Sequence, residues 1–293
     1  MTSKIDLHTH TTASDGTLEP EELVALAVER GLHTIAICDH DTTDGISRAL
    51  KAARGRLTVI PGVEVSADIP RAEVHILGYM IDFTSQQLQQ MLSKLRTSRV
   101  DRAKRMVQKL AEMGMPIKWE RVLEIAGTGA IGRPHIALAL VEMGYVSSPT
   151  EAFQKYIARN APAYVERYKL SPEQAVELVT LARGIPVLAH PITAAGPAKE
   201  MGEELDLEKL LPLLVKVDLA GIEVFYAGYS PESVSYLLRL AERHHLIATG
   251  GSDFHGWGVL PSELGEVNVP QEALDSLYEV YERRFGKPYR LPT

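Results

Sequence analysis

The chain has 293 residues, with 31 Lys and Arg against 38 Asp and Glu and a formal net charge of −7; 45% of residues are hydrophobic and 24% charged. Those proportions exclude a disordered chain, a collagen-like repeat and a disulfide scaffold. The acidic balance argues against duplex DNA as a partner, which needs a basic face, but leaves room for a small anionic substrate held through metal ions. The single cysteine, Cys38, has no partner for an intramolecular disulfide, which points to a reducing compartment. The opening residues MTSKIDLHTHTTASDG carry no apolar signal segment. No run reaches the roughly 18 apolar residues of a membrane span, so a cytoplasmic location is expected.

Short apolar runs alternate with helical patterns. Residues 5–7 read as a first strand, 19–30 as a helix with Pro20 in its first turn and Gly31 just past its end, 34–38 (TIAIC) as a second strand and 46–54 as a second helix. Strands follow at 57–60 and 74–79. The middle breaks this grammar: 86–113 reads as one long helix, and 119–125, 134–143 and 150–158 as three shorter ones. The alternation then resumes, with helices at 172–183, 207–217 and 231–244 and strands at 185–189, 221–225 and 246–249. A further strand at 265–269 and a last helix at 271–284 close the pattern. Repeated βα units predict a mainly parallel sheet buried by helices. About seven such units fit a barrel, although pattern alone does not separate a barrel from an open sheet. The expected organisation is a βα domain from 1–83 and 166–293, interrupted by a helical insertion at 84–165.

The informative polar residues sit where predicted strands end. His8 and His10 follow the first strand, with Asp15 in the loop beyond; His40 follows the second in CDHD and Glu64 the third in PGVEVS. His75 lies in the fourth, His190 ends IPVLAH, and Asp253 and His255 follow LIATGGS. The carboxyl ends of parallel strands converge on one face, so residues scattered from 8 to 255 are brought to one place. Residues i and i+2 of a strand point the same way, which aims His8 and His10 together. A lone histidine at a strand end is usually an ordinary loop residue; nine such placements together form a pattern. Imidazole with carboxylate suits Mn, Fe or Zn, and the lack of thiolate argues against a structural zinc finger. Nine potential ligands exceed the needs of one ion, so two or three are expected.

HTHTTASDG, CDHD, PGVEVS, AHP and GGSDFHG resemble the ordered motifs of the PHP (polymerase and histidinol phosphatase) family, and within it the TrpH-like branch, which acts on phosphate esters of nucleotides and on RNA 5′ ends. The resemblance implies a distorted seven-stranded βα barrel with a trinuclear metal centre. It implies that His8, His10, Glu64 and Asp253 bind a first ion, that Glu64 bridges to a second completed by His75 and His190, and that Asp15, His40 and His255 bind a third. Some family members carry His where this chain has Asp15, a harder ligand that loosens the third site or favours manganese over zinc. The implied activity is metal-dependent phosphoester hydrolysis, in which a water bridging two ions is acidified and attacks phosphorus in line. Asp253, His190 and His255 are the expected catalytic residues, with His190, His255 or a metal-bound water as the general acid. A nucleoside 3′,5′-bisphosphate or the 5′-phosphorylated end of a short RNA leads as substrate. Histidinol phosphate is the alternative, and a noncatalytic metal and phosphate sensor the alternative of another class.

On the long helix, Leu88, Leu92, Leu95, Ala103, Met106 and Leu110 form an apolar stripe, with Arg99 and Arg102 at or beside it. A guanidinium on an inward face needs an anion, either a second phosphate of the substrate or a structural carboxylate. Gly132-Arg133-Pro134-His135 opens a helix, and helix N-termini attract phosphate, so Arg133 and His135 are further candidate substrate contacts. Glu223 in GIEVF is either a partner of a ligand histidine or a member of an ion pair. The sequence leaves the oligomeric state open.

Overall fold

In a computed structural model the described residues are 4–69, 72–127, 131–192, 205–256 and 262–292. Seven strands form one sheet in chain order: β1 (Ile5–Thr9), β2 (Thr34–Ile37), β3 (Thr58–Ile69), β4 (Ala72–Tyr79), β5 (Ile185–Leu188), β6 (Gly221–Tyr226) and β7 (Ile247–Gly251). An isolated parallel bridge between Thr9 and Phe254 links the first strand to the segment after the last, so the sheet nearly closes into a barrel. Strands β1, β2, β5 and β7 are fully or largely buried along their length, as expected where helices cover a parallel sheet.

Two local features depart from the simplest reading. The third strand is 12 residues long and pairs antiparallel with β4, which is also antiparallel to β5. Glu64 therefore lies inside β3 instead of beyond its end, and β4 runs against the other strands. The strand expected at 265–269 is absent: Gly265 has φ +74° and donates its N–H to Asp6 Oδ2 at 2.8 Å. A left-handed residue tied to a buried carboxylate cannot continue a ladder.

The helices begin with recognisable caps. In α1 (Pro20–Glu29) the Glu22 carboxylate accepts the Glu19 N–H at 2.9 Å. The start of α7 (Pro172–Leu181) is capped by Ser171, of α8 (Leu207–Lys216) by Asp206 and of α9 (Pro231–Arg243) by Ser230. With α2 (Ile46–Ala53) and α10 (Gln271–Phe285) these surround the sheet. Beneath the site, Ile5, Leu7, Ala36, Cys38, Ile60, Leu77, Tyr79 and Val187 belong to a buried core that α10 completes.

The chain divides into a barrel unit, Met1–Leu92 with Lys169–Thr293, and a helical unit, Ser93–Tyr168. The first boundary between the units falls inside α3 (Gln86–Glu112). In the first turn of α3 the Gln89 amide donates to Thr43 Oγ1 and to the Phe83 carbonyl, both at 2.7 Å, which ties the start of the helix to the barrel unit. The helical unit contains the rest of α3, α4 (Trp119–Ala126), α5 (Arg133–Glu142), α6 (Pro149–Ala152) and a π-helical turn, Phe153–Ile157. Its core gathers Met106, Leu110, Val122, Ile136, Leu140 and Ile157.

Candidate metal centre

Glu64 organises the centre. Its Oε1 lies 2.8 Å from His75 Nδ1 and 2.9 Å from His190 Nε2. Its Oε2 lies 3.0 Å from His40 Nδ1 and 3.3 Å from both His8 Nε2 and His10 Nε2. One carboxylate thus separates five histidines into two sets. Asp253 Oδ1 approaches His10 Nε2 at 3.1 Å and His8 Nε2 at 3.3 Å. Asp15 lies further out, 3.4 Å from His255 Nε2 and 3.8 Å from His10 Nδ1 and His40 Nε2.

Each side chain is placed by its strand. His8 is within β1, and His10 one turn of the pleat beyond it. His40 follows β2 and forms a parallel bridge to Glu64. His75 pairs with Ser66 across the β3–β4 ladder, one diagonal step from Glu64. His190 follows β5, and Asp253 and His255 follow β7. His190 and Asp253 have positive φ, +24° and +54°, a strain that non-glycine residues tolerate where the surroundings enforce it.

Among the described residues, three groups offer ligand atoms that all lie within 4.8 Å of one another: His8, His10, Glu64 and Asp253; His10, Asp15, His40 and His255; and His40, Glu64 and His75. His190 stands beside the last group, its Nε2 3.2 Å from His75 Nδ1. Both ring nitrogens of His10 and Nδ1 of His40 are buried without a hydrogen bond, although carboxylate oxygens approach them. Buried polar atoms are rarely left so. A set of imidazole and carboxylate donors converging with unused lone pairs fits divalent cations.

Electrostatics agree. Burial opposes charge on Glu64, Asp253, His8, His10 and His40, and opposite charges overcome it for all of them but His40. Glu64 is held well below the ordinary carboxylate range by His40, His75, His8 and His10, and Asp253 by His8, His10 and His255. The carboxylates of Glu223, Asp253 and Glu64 keep His8 well above the usual imidazole value, and Asp253 and Glu64 raise His10 to about 10. For His40 burial prevails and lowers it to about 4, leaving a neutral imidazole.

A PHP domain model matches residues 6–119. A 5′-3′ exoribonuclease Rnm from Salmonella typhimurium is 38% identical over 253 residues, covering 85% of this chain and 84% of that protein. The chain belongs to the PHP family. It is also 32% identical to a 3′,5′-nucleoside bisphosphate phosphatase from Chromobacterium violaceum, over 98% of this chain and 99% of that one. Among solved structures, one from Bifidobacterium adolescentis described as a metal-dependent phosphoesterase superposes with a TM-score of 0.80 at 35% identity, covering 93% of this chain and 94% of that one.

Around this PHP site stand further buried and half-buried polar residues. Glu223 takes the partner role: its Oε1 lies 3.0 Å from His8 Nδ1, and its Oε2 accepts the His190 N–H at 2.7 Å. Asp6 accepts from Ser252 N and Oγ, Gly265 N and His8 N. Asp39 accepts from Thr11 N and Oγ1 and from Ser14 Oγ. Burial pushes both of these carboxyls up, against those hydrogen bonds. Tyr226 donates its hydroxyl to Asp253 Oδ2 at 2.8 Å. The alternation Asp6-x-His8-x-His10 was a usable signal for Asp6, since all three share one face of the strand.

In the helical unit, Arg102 is 4% exposed and Arg99 half-buried, both on α3. The Arg133 guanidinium carbon lies 5.5 Å from the Phe153 ring centre and 5.9 Å from that of Tyr164. His135 Nδ1 accepts the Gly132 N–H at 3.0 Å, so this imidazole closes the first turn of α5.

Proposed function

We propose that the chain hydrolyses phosphate esters of nucleotides, with nucleoside 3′,5′-bisphosphates or the 5′-phosphorylated ends of short RNA as substrate and manganese as the metal. The observation that carries the reading is the Glu64 carboxylate, buried and shared by five histidines, beside a His10 whose ring nitrogens have no hydrogen bond. We assign His8, His10, Asp15, His40, Glu64, His75, His190, Asp253 and His255 as ligands of two or three ions, the third through Asp15, His40 and His255. Ions held there supply Lewis acidity to phosphate oxygens and acidify water towards neutral pH.

The residues divide the remaining work. Glu64 and Asp253 stay anionic and fix the imidazoles around them. Glu223 holds His8 through Nδ1, which turns Nε2 towards Glu64 and Asp253. His190 and His255 are assigned to hold and return the proton required by the departing ester oxygen. Arg99, Arg102, Arg133 and His135 are assigned to the substrate's second phosphate, and guanidinium is the side chain best matched to it. No helix among the described residues is long and apolar enough to cross a membrane. The acidic charge and lone cysteine support a cytoplasmic enzyme of small substrates.

The test is phosphate release in manganese from adenosine 3′,5′-bisphosphate, a short 5′-phosphorylated RNA and histidinol phosphate. Release from the first two is expected. Release from histidinol phosphate alone would replace the substrate class, and binding of all three without release would favour a sensor.

A further inference from the structure

The end of β6 and the turn after it carry two tyrosines in the sequence Phe225-Tyr226-Ala227-Gly228-Tyr229. Tyr229 N–H returns to the Tyr226 carbonyl at 3.2 Å, and Gly228 has φ +78°, a left-handed conformation that glycine adopts freely. The two rings are brought to 5.0 Å between centres. Each phenol reaches a different segment of the centre. Tyr226 donates to Asp253 Oδ2 at 2.8 Å, and its ring lies 5.6 Å from that of His190. Tyr229 accepts the N–H of Ile192, two positions past His190, at 2.8 Å.

Both segments are strained at the residue that matters, His190 with φ +24° and Asp253 with φ +54°. The Asp253 carboxylate is also divided: Oδ1 faces His8 and His10 at 3.3 and 3.1 Å, while Oδ2 is turned to the phenol. Without that hydrogen bond the carboxylate is free to rotate about its terminal torsion, which is broad and has two equivalent ends.

We propose that Tyr226 is a positioning residue for the metal centre: its hydroxyl captures one oxygen of Asp253, so that Asp253 serves the His8–His10 pair through the other oxygen alone. Tyr229 plays the matching part for the His190 segment through its backbone. The inference rests on the metal-centre reading of the cluster. Partners that orient metal ligands in this way are worth about 10- to 100-fold in metal affinity or activity.

The experiment uses Tyr226→Phe, which keeps the ring against His190 and Tyr229 and removes only the hydroxyl. Chelator-stripped wild-type and variant proteins are titrated with Mn²⁺ by calorimetry, and their melting temperatures are measured before metal is added. The expected result is Mn²⁺ affinity about 10- to 100-fold weaker with an unchanged melting temperature, and a kcat that recovers in excess Mn²⁺ more fully than in stoichiometric Mn²⁺. Equal affinity in variant and wild type, with or without a lowered melting temperature, would overturn the proposal and make Tyr226 a packing residue. Wild-type protein that binds no Mn²⁺ would overturn the metal-centre reading beneath it, so the two failures are separable. Tyr229→Phe, measured alongside, keeps Asp253 anchored; if it weakens Mn²⁺ as much as Tyr226→Phe does, the specific role of the Asp253 contact is lost.

Discussion

Glu223 on β6 and His8 on β1 meet at 3.0 Å, and neither side chain has any solvent exposure. The contact fixes which imidazole nitrogen faces the centre, because Nδ1 is engaged and Nε2 is left to Glu64 and Asp253. Replacing Glu223 by Gln keeps the shape but removes the charge that steadies His8. We expect Mn²⁺ affinity or turnover to fall about 10- to 100-fold. Metal titration and kcat on the same preparations check this; an unchanged pair of values would make Glu223 a bystander.

Glu64→Gln removes the charge that both sets of histidines share. Turnover should fall by at least about 100-fold, the scale on which an electrostatic centre is disrupted, with reduced metal content in the purified variant. Near-normal turnover with full metal content would show that Glu64 is not a ligand.

Metal removal should act on both activity and stability. A strong chelator is expected to abolish phosphate release, and Mn²⁺ to restore it. At about 100 times its dissociation constant a ligand adds about 2.7 kcal/mol to stability, or roughly 4 °C in melting temperature for a chain of this size. Binding must also release protons from histidines, so affinity should weaken as pH is lowered. Full activity in chelator with no bound metal would contradict the proposal.

The arginines of the helical unit are tested by selectivity. Arg99→Ala, Arg102→Ala and Arg133→Ala should each cost about 1.5–3 kcal/mol for a charge-assisted contact, or about ten- to a hundredfold in kcat/KM. The loss should be large for adenosine 3′,5′-bisphosphate and small for a simple monophosphate. Equal losses on both substrates, with metal content intact, would assign these residues to structure. No loss on either would retire the second-phosphate site.

The clustering of these side chains was legible because chemistry that needs convergence leaves a regular trace: polar residues at the ends of apolar strands, read off His8, His40, His190 and Asp253 without knowledge of the sheet. The direction of β4 was not legible. An apolar strand looks the same in either direction, and the ladder from Gly62 to Ile69 that reverses it is a long-range pairing. Residues 265–269 alternate as a strand does, yet Gly265 gives its N–H to Asp6, a demand made from the other end of the chain. Tyr226 was hidden for a similar reason: an aromatic residue at a strand end is usually core, and only the position of Asp253 Oδ2 gives its hydroxyl a task.

Asp6 has a consequence for how the molecule comes into being. Its carboxylate is satisfied by Ser252, 246 positions away, and by Gly265. Synthesis delivers the acceptor first and these donors near the end. A nascent chain that stops short of Ser252 carries His8 and His10 but lacks both Asp253 and the groups that anchor the first strand beside it. Asp253 and the anchorage of the first strand therefore reach His8 and His10 only once the chain has been made past Ser252 and Gly265.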